Sequence, residues 1–233
     1  MKKLILSAAA AASLTLSLAG ISAAAGPTIV NGSFEAGTSP GVFLPLSSGD
    51  SASITGWTVS SGTVDYIGTY WQAADGVRSL DLSGSGPGAV RQSFATTVSA
   101  SYRVTFSMSG NPAGGTGTKT MTADAGGTPI AFTYEVGTVN PPTFADMKWV
   151  KKSFLFTAVA VTTTLTFTST TSGVYGPALD NVRVELAAVK AFSDCKKGGW
   201  RQLRDGQGHM FKNQGDCVSY FASKGRNGGA GTP

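Results

Sequence analysis

The sequence predicts an all-β chain folded as one antiparallel β-sandwich, followed by a small disulfide-bridged C-terminal segment. Three observations carry this. Charged residues are only 13% of 233 while glycines number 31, a balance unlike helix bundles or coiled coils, which need Glu, Lys and Leu at helical spacing. Apolar residues reach 41%, too many for a disordered chain of such low charge. And where periodicity is strong it is two: Tyr102, Val104, Phe106 and Met108 fall on one face, Arg103, Thr105 and Ser107 on the other.

Taken in chain order, Leu80 and Leu82 flank Asp81, and the Tyr102–Met108 run follows. Phe154 alternates with Phe156, Leu165 with Phe167, and a last strand opens at Asp180. Thr, Val and Phe suit a pleated, half-buried surface. Gly84–Gly88, Asn111–Gly115 and Gly126-Gly127 read as turn punctuation. No stretch between Gly26 and Glu185 holds a helical period for three turns. A span of about 160 residues is enough to bury roughly two-thirds of its unfolded surface in one sandwich. No internal repeat suggests a propeller or solenoid.

Residues 1–25 read as an export signal: Lys2 and Lys3, an apolar run from Leu4 to Leu18, then Ala23-Ala24-Ala25. The run is diluted by Ser7, Ser13, Thr15 and Ser17 and falls short of the ~20 apolar residues of a membrane span. The expectation is a secreted, monomeric protein with no transmembrane segment. Residues 26–189, the sandwich, carry eight Lys/Arg against ten Asp/Glu; residues 190–233 carry eight against three. A nearly neutral domain lacks the cationic surface that nucleic-acid affinity requires. The net charge of +5 therefore belongs to the leader and tail, and the tail suits an anionic wall or membrane surface or simple solubility. Within the basic module 190–227, Cys195 and Cys217 favour a disulfide over a metal site in a secreted chain. Closing that loop contributes roughly 3 kcal/mol in the chain-entropy model. Val218–Ala222 is expected to be helical and residues 228–233 disordered.

Seven segments together resemble the DUF642 family and its bacterial relatives, the choice-of-anchor C proteins. They are Asn31–Glu35, Ile54–Trp57, Val64–Ile67, Trp71–Gly76, Ser79–Gly84, Lys148-Trp149 and Gly176–Val182, in order across residues 28–186. The resemblance implies a galactose-binding-like jelly roll and an extracellular role, since plant members are cell-wall proteins linked to polysaccharide or wall-modifying enzymes. Plant members commonly carry two copies of the domain; this chain carries one. Jelly-roll modules of this kind often hold a structural Ca²⁺ between first and last strands, which points to Glu35 and Asp180. Asp180 shares parity with Val182, Val184 and Leu186, so it is expected to face inward, where a carboxylate needs a cation or a partner. The alternative is that Glu35 caps a turn and Asp180 accepts backbone amides.

For ligand binding the candidates are Tyr66, Tyr70 and Trp71, with Asp65, Asp75 and Arg78 as polar complement and Tyr175 from a second loop. Aromatic rings pack on sugar C–H faces, and loops are where binding residues concentrate. Trp57 is expected in the core; Trp71 serves either the core or a site. Arg78 is alternatively a structural partner of Asp75 or Asp81. Three functions fit: a non-catalytic carbohydrate-binding module, a glycoside hydrolase using Asp65, Asp75 or Asp81, or a matrix protein whose partner is another protein. There is no Gly-x-Ser-x-Gly elbow, and the lone histidine, His209, lies in the tail. Serine-hydrolase chemistry and a His-rich zinc cage therefore have no support.

Overall fold

The computed structural model describes residues 27–187, 192–201, 203, 205 and 209–223. The expected leader, the boundary at 189/190 and the terminal 228–233 segment lie outside the described residues. Strands occupy β1 Phe43–Ser47, β2 Thr58–Ser61, β3 Thr63–Ile67, β4 Ser79–Asp81, β5 Ala89–Ala95 and β6 Ser101–Gly110. They continue with β7 Gly117–Ala125, β8 Ile130–Val136, β9 Val150–Thr157, β10 Thr162–Ser169 and β11 Pro177–Leu186. These form a six-stranded sheet ordered β1-β3-β4-β11-β6-β9 and a five-stranded sheet ordered β2-β5-β10-β7-β8, with antiparallel pairing throughout. Together they make a jelly-roll sandwich. The three glycine-rich punctuations fall in the turns β4–β5, β6–β7 and β7–β8.

The alternation in β6 sends Tyr102, Val104, Phe106 and Met108 into the space between the sheets, each at most 2% exposed. Leu165 and Phe167 meet them from β10. Phe106 lies edge-on to Phe167 at 5.0 Å, and Trp57 sits 5.2 Å from Phe34, so Trp57 belongs to the core. Each such side chain contributes about 1.5–3 kcal/mol by leaving water. The Asn31–Glu35 segment is wired into this core. Asn31 exchanges hydrogen bonds with Ala36 and donates to the Thr55 carbonyl. The Asn31 carbonyl in turn accepts from Trp57 Nε1 at 3.0 Å.

The last strand departs from the sequence reading. It opens at Pro177 rather than Asp180, and its register slips: Asp180 pairs with Ser107 but Arg183 with Thr105. The strand therefore carries one extra residue, accommodated by Asn181 at φ +52°. Such a bulge reverses the parity of everything before it. Val182 and Val184 stay in the core with Leu179, and Asp180 turns to the opposite face. Its expected inward position is thereby corrected.

In the tail, Cys195 and Cys217 form a disulfide. Helix α1, Gln214–Ala222, covers the expected 218–222 segment and starts from Asn213, whose side chain accepts the Asp216 amide at 2.9 Å. Leu203, Phe211 and the bridge make a small apolar cluster that also takes in Ala187 and, from β9, Leu155. The tail thus leans on the edge of the six-stranded sheet.

Candidate functional site

Strand alternation gives the six-stranded sheet a second face, turned away from the main core. Asp65 and Ile67 of β3 stand opposite Asp81 and Ser79 of β4, and Ala178 of β11 lies beside Asp81. The loop after β3 folds back over part of this face. Trp71, 4% exposed, packs with Ile67, Met147 and Ala178 and donates Nε1 to Ser79 Oγ at 2.8 Å. A second loop closes over it: Trp149 Nε1 donates to the Gln72 carbonyl and Ser109 Oγ to that of Met147.

This arrangement gives four of the expected ligand residues partners within the protein. Trp71 is the apolar plug of a covered face. Tyr66 is fully buried; its hydroxyl donates to the Phe34 carbonyl at 2.5 Å and accepts from Arg78 Nη1 at 2.7 Å. Arg78 is thereby committed to Tyr66 and the Gly37 carbonyl, not to Asp75 or Asp81. Asp75 forms a surface ion pair with Arg183 at 3.3 Å. Trp71 is covered because the loop after β3 folds inward, Tyr66 because its strand turns it to the core beneath Phe34; local sequence carries no sign of either direction.

Glu35 and Asp180 both hold that loop. Glu35 Oε1 accepts the amides of Val77 and Arg78 at 2.9 and 2.8 Å. Asp180 Oδ2 accepts those of Ala74 and Asp75 at 2.7 and 3.0 Å, and its Oδ1 that of Asn181 at 2.5 Å. Between them, Gly76 at φ +70° passes so close that a Cβ would lie 2.4 Å from the Glu35 carboxylate. Burial pushes Asp180 up to about 7, against the pull of its three amides. Five N–H groups point at these oxygens, and among the described residues no three His, Cys, Asp or Glu side chains converge as a metal set. Of the two readings, the amide-accepting one describes these contacts. Adding Ca²⁺ to chelator-treated protein is accordingly expected to leave its melting temperature unchanged in calorimetry. A rise at saturating Ca²⁺ would restore the cation.

Beside the covered patch the same face opens into a depression of ≈ 140 Å³. Its floor is Asp65, Ile67, Asp81 and Gly84; its walls are Phe43, Tyr70, Asn111, Val174 and Tyr175. Phe43 and Tyr175 are 43% and 45% exposed, and Tyr70 is held between Phe43 and Phe144 at ring distances of 5.4 and 5.0 Å. No hydrogen bond engages either tyrosine hydroxyl among the described residues. Asp81 is 1% exposed and accepts from Asn111 Nδ2 at 2.7 Å and the Ser83 amide at 2.9 Å. Asn111 Oδ1 caps the Pro112–Gly114 turn through the Ala113 amide, so both ends of that side chain are fixed. Gly176 crosses directly above: a Cβ there would stand 2.7 Å from Asp81 Oδ1. Burial pushes Asp81 up to about 7, with hydrogen bonds from Asn111 and Ser83 opposing and the Asp65 charge adding. Burial also raises Asp65, which makes no hydrogen bond or ion pair among the described residues.

Of the expected ligand residues the structure therefore brings together Asp65, Tyr70 and Tyr175. The expected ligand set did not include Phe43, Asn111 or Val174, and placed Asp81 among carboxylates for hydrolysis or as a partner of Arg78. The available signal was the pair Val64-Asp-Tyr66 and Leu80-Asp-Leu82, each an acid at the outward position of an apolar strand.

Fold and site define a class: a single jelly-roll sandwich with an aromatic-walled, acidic depression on one outer face. The chain belongs to the family described as protein of unknown function DUF642, matched over residues 27–185. It is 37% identical over 140 residues to Halomucin of Haloquadratum walsbyi, a match covering 58% of this chain and 1% of that relative's length. Among solved structures it is similar to a CBM35 from Paenibacillus barcinonensis, at 18% identity, 60% of this chain, 97% of the other and TM-score 0.39. It is also similar to a family 35 carbohydrate binding module from Clostridium thermocellum, at 13%, 69%, 98% and 0.39. The CBM22-1 xylan-binding domain from Paenibacillus barcinonensis matches at 19%, 64%, 94% and 0.38.

Proposed function

We propose that this domain is a secreted, non-catalytic module that binds a carbohydrate polymer through the depression between Tyr70 and Tyr175. The observation that carries the reading is the pairing of exposed rings and unengaged phenol hydroxyls with a fixed polar floor. Rings cover the C–H face of a pyranose, while Asp65 and the two hydroxyls meet its hydroxyl groups. The volume suits one or two sugar units at a time rather than a buried ligand. The Cys195–Cys217 bridge supports an oxidising compartment, and no described helix is long and apolar enough to cross a membrane. The basic tail then serves as an accessory contact to anionic wall polymer or a membrane surface.

A glycan array followed by titration of the best ligand tests this. Tyr175→Ala is expected to weaken binding about tenfold or more. Because the ring is largely exposed, the melting temperature should barely move. Equal affinity of the two proteins would remove the depression as the site, and silence across the array would favour a protein partner.

One observation favours a hydrolase as second reading: Asp65 and Asp81 are direct cross-strand partners, which sets two carboxyl groups side by side on one face, the residue pair that glycosidases use. Against it, Asp81 is sealed beneath Asn111 and Gly176, away from any leaving-group oxygen. Release of reducing ends from a bound polymer, lost in Asp81→Ala, would establish the hydrolase.

A further inference from the structure

We infer that the depression selects a carbohydrate unit bearing a protonated amine, with the ammonium seated on Asp65 beneath Phe43, Tyr70 and Tyr175. The inference rests on the carbohydrate reading above and narrows it to a ligand class.

Two carboxylates directly opposite each other on one sheet face repel: the buried one, Asp81, is pushed toward its protonated form, and a side-chain cation ordinarily neutralises the open one, Asp65. Here no side chain does so. Arg78 is committed to Tyr66 and Gly37, Arg183 to Asp75 and Asn181, and Lys148 to Asp146. Lys119 lies buried behind the Pro112–Gly114 turn and forms no ion pair with either acid. The two acids also differ in a way that suits a ligand. Asp81 is locked by Asn111 and Ser83, whereas half-buried Asp65 keeps all its lone pairs for whatever enters the cavity it lines. Asp65 thus stands in the cavity without a side-chain cation, at some cost in stability, the pattern expected where a bound group completes the charge.

The walls decide which cation. Exposed rings over an acidic floor attract an organic ammonium through their π faces and cover the attached C–H surface. A bare divalent ion wants six or more oxygens, and Asn111 has none to spare, since its Oδ1 is taken by Ala113. A neutral hydroxyl gains less from a carboxylate than an ammonium does. A sugar amine, charged at one corner and apolar on its face, uses both the floor and the walls.

The test is calorimetric titration of the full chain with a glucosamine oligosaccharide, its N-acetylated counterpart and a neutral glucose oligosaccharide of equal length. The amine form is expected to bind at least about tenfold more tightly than the other two, with the difference shrinking at high salt. Asp65→Asn should abolish the preference while leaving the melting temperature equal or higher, because an unpaired, partly buried charge is removed. Asp65→Glu should retain the preference. Equal affinities for the three sugars, or a preference that survives in Asp65→Asn, overturn the inference and leave the carbohydrate reading standing. Binding of Ca²⁺ alone, lost in Asp65→Asn, overturns it in favour of a metal site. Failure of all three sugars here and of every glycan on the array overturns both.

Discussion

Replacing Trp71 with alanine is expected to lower the melting temperature by roughly 10 °C. The indole is 4% exposed, packed on Ile67, Met147 and Ala178, and tied by Nε1 to Ser79. Removing a buried tryptophan costs about 3–5 kcal/mol, and each kcal/mol shifts a domain of this size by about 2–4 °C. The loss also orphans the Ser79 hydroxyl and loosens the loop on which Tyr70 stands, since Tyr70 rests 5.5 Å from the indole. Affinity for carbohydrate should therefore fall only as a consequence of that loosening. Trp71→Phe separates the contributions: it keeps most of the packing and loses one hydrogen bond, about 1 kcal/mol. A Trp71→Ala protein with unchanged melting temperature and abolished binding would show that the ring belongs to a ligand site after all.

Stability is expected to fall as pH rises from about 4 to about 7, the reverse of ordinary acid denaturation. Asp81 and Asp180 are both raised by burial from 3.8 to about 7. Between those values the unfolded chain has released both protons while the folded chain keeps them, so the folded state binds more protons and loses stability with rising pH. The penalty is absent below pH 4, grows across the window and is complete above 7. Each group contributes up to roughly 4 kcal/mol by the size of its shift. Asp65, raised in the same direction, adds to the slope. The lowered carboxyls Asp50 and Asp146 act oppositely but sit at the surface, where such effects are small. Melting followed by circular dichroism should give a higher midpoint at pH 5 than at pH 8. Asp180→Asn should be less stable at pH 5, because one of its amides loses an acceptor, yet show a shallower slope. A midpoint that rises between pH 5 and pH 8 would contradict the assignment of both carboxyls.

The parts of this structure legible from residues are those governed by neighbours in sequence. The Tyr102–Met108 alternation predicts both the existence of β6 and its buried face, because side chains of a strand alternate whatever surrounds them. Gly126-Gly127 marks a turn because both residues adopt positive φ there, open to glycine at no steric cost. The Cys195–Cys217 bridge follows from there being only two cysteines in a chain with an export-like leader. Tyr66 and Trp71 fail for the opposite reason. Each is an aromatic beside polar residues, and whether such a ring meets solvent depends on which remote segment covers it: Asn31–Glu35 for one, the loop preceding β9 for the other.

Composition and periodicity thus determined that this chain is a β-sandwich of low charge with a basic, bridged tail, since those features arise from local sterics and the burial of alternating side chains. Only the tertiary structure decided the direction of Asp180, through one extra residue in β11 that reversed its parity. It alone decided that Asp65, Asp81, Tyr70 and Tyr175 share a depression, because these residues come from segments up to 110 positions apart. Strand pairing, a property of the whole chain, sets that meeting.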